Sequence, residues 1–113
     1  MQTFGQAIRQ LRMERGLTQR VVAAAVGVDF TYLSKLENDR GEPPSEKLVR
    51  ELARVLDGEP EELLALAGWI PGELRERAQT DVNFARFLRR LPTLDQPELE
   101  KIYRQAKLKP PKK

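Results

Sequence analysis

The residues from Thr18 to Asn38 constrain this chain most tightly, because two stretches with helical periodicity are separated there by only the short turn from Val26 to Asp29. Gly27 can take the positive φ of a tight turn, Val28 supplies an apolar plug, and Asp29 is placed to cap a new helix. The first stretch follows the capping hydroxyl of Thr18 and spans roughly Gln19 to Ala25; the second runs from Phe30 to Glu37. Leu33 and Leu36, three apart, turn inward in the second stretch, which leaves Phe30, Thr31, Ser34 and Lys35 on the outward side.

The flanks extend this pair into an all-α fold. Thr3 and Gln6 have the spacing of a capping box, and Phe4, Ala7, Ile8 and Leu11 mark one face of a helix from about Phe4 to Arg15, stopped at Gly16. The stretch from Asn38 to Pro44 has loop chemistry, since its prolines lack donors and bias their predecessors away from helix. Ser45 caps a fourth helix carrying Leu48, Leu52, Val55 and Leu56, and Asp57 with Gly58 ends it. Pro60 opens a fifth helix, with Glu61 and Glu62 at its positive dipole end and Leu63, Leu64, Leu66 and Ala67 directed inward. Five short helices thus complete a core within residues 1–68.

Residues 69–107 read as a helical extension. Trp69, Ile70 and Pro71 form a joint, followed by a polar helix from Gly72 to Gln79. Asp81 caps a helix carrying Phe84, Phe87, Leu88 and Leu91, and after Pro92 a last helix carries Leu99, Ile102, Tyr103 and Ala106 at helical spacing. Such amphipathic stripes need a surface to cover them: a second copy of the chain, a partner protein, or the first domain itself. Residues 108–113 read as a flexible basic tail.

Composition removes several function classes. The chain has no cysteine and no histidine, so thiolate zinc sites, disulfides and the usual general base are excluded, and no metal, cofactor or enzymatic activity is expected. No apolar run approaches the ~20 residues that span a bilayer, which points to a cytoplasmic protein with no membrane partner. Residues 1–70 carry 9 basic and 11 acidic side chains, whereas residues 71–113 carry 11 and 6. The basic balance is therefore C-terminal, and net charge by itself does not mark the first domain as binding an anionic partner.

The ordered matches Arg15-Gly16-Leu17, Thr18-Gln19, Ala23 with Gly27, the run from Tyr32 to Asn38, and Pro60-Glu61-Glu62-Leu63-Leu64 make the first 68 residues resemble the phage-repressor and Cro type of helix-turn-helix regulator, the XRE family. The resemblance implies a five-helix lambda-repressor-like DNA-binding domain whose third helix lies in the major groove of double-stranded DNA. Phe30, Thr31, Ser34 and Lys35 would then read base edges, while Thr18, Gln19, Tyr32, Asn38 and Arg40 would contact phosphates. It also implies a structural ion pair between Arg12 and Glu37. It departs from the family pattern at Asp39, where glycine is frequent, and Asp29 and Asp39 are expected to repel phosphates. The expected function is a repressor, dimeric through Trp69, Ile70, Phe84, Phe87, Leu88, Leu91, Leu99, Ile102 and Tyr103, that occludes a promoter at a palindromic operator in a bacterial, plasmid or phage setting. The alternative is an antitoxin-like or adaptor protein whose C-terminal helices bind a regulatory protein partner.

Overall fold

Helix ends in the first seventy residues are set by one recurring device. In a computed structural model, which describes residues 2–108, the helices are α1 (Phe4–Glu14), α2 (Gln19–Val26), α3 (Phe30–Glu37), α4 (Glu46–Leu56) and α5 (Pro60–Leu66). Each is followed by a residue in the left-handed region: Gly16, Gly27, Asp39, Asp57 and Gly68. The next backbone N–H then reaches back to a carbonyl of the last turn, as from Val28 to Ala23 at 2.9 Å and from Arg40 to Lys35 at 2.9 Å. This closes the open end of the helix and reverses the chain in two residues.

The chain divides into two units after Ile70. The first holds a single apolar core of Phe4, Ala7, Ile8, Val22, Ala23, Leu33, Leu36, Val49, Leu52, Ala53, Leu56, Leu63 and Leu64. α4 is its centre and packs on α5, α2 and α1, while α3 is held between α1 and α2. The stripe expected on α4 is wider than its sequence spacing suggested. Val49 and Ala53 are fully buried beside Leu52 and Leu56, whereas Leu48 and Val55 are half-covered, because α4 is enclosed on more than one side. Leu66, expected to point inward, remains exposed.

Helix starts follow the sequence with one exception. Thr3 and Gln6 form the reciprocal capping box, and Thr18 and Ser45 accept from Val21 and Leu48 N–H. Asp29 stands at the N-cap of α3 but its carboxylate makes no capping hydrogen bond. Asp57, and not Gly58, takes the positive φ after α4. Gly58 packs closely under two leucines: a methyl group there would lie 2.8 Å from Leu11 Cδ1 and 3.2 Å from Leu63 Cδ1, so those side-chain ends would have to shift.

The second unit contains α6 (Gly72–Thr80), α7 (Val82–Arg90), a single 3-10 turn (Leu91–Thr93) and α8 (Gln96–Gln105). α6 packs on α7. Asp81 caps α7 through Phe84 N–H, and Asp95 with Glu98 forms a second capping box at α8. None of the described residues in these helices is fully buried. The basic tail expected over 108–113 lies, from residue 109 onward, outside the described residues.

The N-terminus of α1 sits directly on the C-terminal end of α3. A methyl group on Gly5 would approach Leu36 O to 2.5 Å and Glu37 O to 2.6 Å, both backbone atoms that cannot turn aside. Gly5→Ala is therefore expected to lower stability by ~1–3 kcal/mol through forced separation of α1 and α3, read as a drop in the urea midpoint with an unchanged slope.

Candidate nucleic-acid interface

The α2–α3 pair is built from small and apolar contacts on its inner side. Val22 and Ala23 of α2 and Leu33 and Leu36 of α3 are buried, and the compact side chain of Ala23 lets the two helices approach closely. Gly27, at φ 75°, turns the chain between them, and no neighbouring atom restricts the space around it. The outer side of α3 is left open: Phe30, Thr31, Tyr32 and Lys35 are exposed, and Ser34 is half-buried. An α-helix with one such uncovered face has the width to enter the major groove, where side chains meet the distinguishing edges of base pairs.

Beneath that face lies a polar knot. Arg12 of α1 donates from Nε to Glu37 Oε2 at 2.7 Å and from Nη2 to Glu37 Oε1 at 3.0 Å. Its Nη1 donates to Leu17 O at 3.0 Å, and Gln19 Nε2 donates to Glu37 Oε1 at 3.0 Å. The Glu37 side chain is only 3% exposed and that of Arg12 14%, so the bidentate pair is shielded from solvent screening. The knot joins α1, the link after it, the first residue of α2 and the last residue of α3. The Gln19 amide carries two hydrogens, and only one of them is given to Glu37.

Asp39 has a role that its sequence position concealed. With φ at 55° it occupies the glycine-favouring region, and its carboxylate accepts from Thr3 Oγ at 2.6 Å and from Gly5 N at 2.9 Å. The charge is thereby held against the positive end of α1. Among the acidic residues before Glu42, Glu37 is paired with Arg12 and Asp39 is tied to α1. At the N-terminus of the outward helix, Asp29 remains with no capping bond.

Two of the remaining residues expected to contact phosphate cap helix ends, Thr18 at the start of α2 and Asn38 at the end of α3. Thr18 Oγ accepts from Val21 N–H and keeps its own O–H as a donor. Asn38 Nδ2 donates to Ser34 O at 2.8 Å, closing the end of α3, and Arg40 is exposed just beyond. Sequence spacing did not reveal Arg20, whose guanidinium carbon lies 4.5 Å from the centre of the Phe30 ring. Of the residues assigned to an interface in the C-terminal region, Trp69 and Ile70 belong to the first unit; the Trp69 indole N–H donates to Pro44 O at 2.8 Å, and Ile70 is exposed. In the second unit Phe87 and Tyr103 are exposed, and Phe84, Leu88, Leu91, Leu99 and Ile102 are half-buried.

Comparison with known proteins gives a consistent result. The family described as "Helix-turn-helix domain" matches residues 3–66. The HTH-type transcriptional regulator RghRB of Bacillus subtilis (strain 168) is 38% identical over 82 residues, covering 70% of this chain and 59% of that protein. The HTH-type transcriptional repressor RghR of the same organism is 36% identical over 70 residues, 62% of this chain and 52% of that one. The chain thus spans little more than half the length of these relatives. Among solved structures, the N-terminal DNA-binding domain of SinR from Bacillus subtilis superposes with a TM-score of 0.50 at 34% identity, over 54% of this chain and 88% of that one.

Replacing Arg12 or Glu37 alone leaves its partner charged and enclosed. Arg12→Met and Glu37→Leu are each expected to destabilise the first unit by ~3 kcal/mol or more, and the double replacement by less than the sum of the two. Thermal and urea unfolding of the three variants measures this directly; additive losses would show that the two side chains act independently.

Proposed function

This chain belongs to the helix-turn-helix family of transcriptional regulators of the phage-repressor and Cro type, and from that premise we propose that it is a sequence-specific repressor acting on double-stranded DNA in the cytoplasm. The observation that carries the reading is the uncovered face of α3, whose last residue is tied to α1 and α2 by the Arg12–Glu37–Gln19 knot. Phe30, Thr31, Ser34 and Lys35 read base edges, and Thr18, Gln19, Tyr32, Asn38 and Arg40 fix the register on phosphates. RghR, one of the similar proteins, is itself a repressor. No helix among the described residues is long and apolar enough to cross a membrane.

The second unit is the means of dimerisation in this reading. Its described helices bury no residue fully and leave Val82 65% and Phe87 44% exposed, apolar surface that a second copy would cover. Two-fold pairing would set two α3 helices about 34 Å apart, one helical turn of DNA, so that a palindromic operator is bound and polymerase excluded. The same exposed side chains support a second reading, in which a regulatory protein partner occupies the second unit of an antitoxin-like or adaptor protein.

Randomised-oligonucleotide selection with the full chain is expected to recover a two-fold symmetric site. Lys35→Ala is expected to change the preferred base at one or two positions of each half-site. Arg40→Ala should weaken all duplexes alike and reduce the salt slope by ~1. Equal effects of both changes on every sequence would overturn the assignment of roles.

The first unit contains the whole fully buried core, so a chain ending at Ile70 should fold while losing cooperative operator binding. Retention of cooperativity with loss of a heterologous partner would favour the adaptor reading. Sedimentation of both lengths with and without the selected duplex separates the two outcomes.

A further inference from the structure

Arg20 and Phe30 come from different helices and meet on the open side of the α2–α3 pair. Arg20 is the second residue of α2 and Phe30 the first of α3, and the guanidinium carbon stands 4.5 Å from the ring centroid, within the range of a cation–π attraction. Among the described residues no carboxylate lies within ion-pairing distance of Arg20. With Arg12, Leu17, Thr18 and Gln19 the two side chains line a shallow depression. With the cation over one face of the ring, Phe30 still keeps 39% of its surface exposed.

The chemistry of each group limits what it can recognise. A phenyl ring has no donor or acceptor, and the one apolar group on the major-groove edge of an ordinary base pair is the thymine C5-methyl. The attraction between Arg20 and the ring uses the charge of the guanidinium and leaves its N–H donors available. The first turn of the helix preceding a recognition helix lies over the DNA backbone, where those donors meet phosphate.

Resting on the DNA-binding reading above, we infer that Arg20 and Phe30 act as one specificity element: Phe30 reads a thymine methyl, and Arg20 fixes the ring while donating to the phosphate beside that thymine. Arg20 is the positioning residue of the pair. It couples a contact that carries no sequence information to one that does.

The test uses the full chain and a duplex recovered by randomised selection, with each thymine replaced in turn by uracil, which removes only the methyl group. At one position per half-site the wild type should lose about fourfold in affinity, the worth of one buried methyl group. Phe30→Ala should abolish that difference. Arg20→Ala should shrink it at the same position and reduce the salt slope by ~1. Arg20→Lys should restore the slope but not the thymine preference, because a lysine does not reproduce the planar contact of a guanidinium. A thymine preference unchanged by Arg20→Ala, or fully restored by Arg20→Lys, would overturn the coupling while leaving the DNA-binding reading intact. Failure to select any duplex would remove that reading itself, whereas a selected duplex whose thymines are all indifferent to Phe30→Ala would remove this inference alone.

Discussion

Glu37 carries a charge to the inner end of α3, and three N–H donors from Arg12 and Gln19 meet it there. Everything on the outer side of that helix depends on this arrangement. Apolar packing of Leu33 and Leu36 fixes which side of α3 faces the core, but van der Waals contacts alone tolerate small rotations and slips. Directional bonds from α1 and α2 to one carboxylate do not. The same guanidinium also holds Leu17 O, so the link into α2 is positioned together with the helix that the pair presents. Gly5 and Asp39 complete the restraint from the other direction, by seating the start of α1 on the end of α3.

That arrangement also explains how a first unit with more acids than bases can face a polyanion. The acidic excess sits largely from Glu42 onward, in the loop and on α4 and α5, while Glu37 and Asp39 are occupied by internal partners. Arg20, Lys35 and Arg40 remain exposed around the outer face of α3, with Asp29 also exposed at its N-terminus. The field that matters to a docking duplex is that of these nearby groups, because charges farther than a Debye length, ~8 Å at physiological salt, are largely screened. Net charge summed over the unit hides this division. Asp39 in particular, expected from its position to repel phosphate, is turned toward the N-terminus of α1.

Much of the fold was legible because its signals are local. The bounds of α3 follow from the positive-φ glycine before it and from the spacing of its leucines, and the cap residues Thr3, Thr18 and Ser45 act within four residues of themselves. What was not legible joins residues far apart in sequence. The Arg20–Phe30 contact, the third donor to Glu37 and the bond from Trp69 to Pro44 each depend on helices already packed, and no periodicity encodes them. Asp29 shows the converse: it has the residue type and position of a cap, yet its carboxylate makes no capping bond. The Arg12–Glu37 pair lies between, being implied by the family resemblance and not by spacing within this chain.

The exposed side of α3 is the surface that should meet DNA. Following the backbone and side-chain NMR signals of the full chain while a selected duplex is added tests this most directly. Shifts should concentrate at Thr18 to Arg20 and at Phe30 to Arg40, with the interior signals of Val49 and Leu52 unmoved. Perturbation confined to residues beyond Pro71, with α3 silent at saturating duplex, would contradict it.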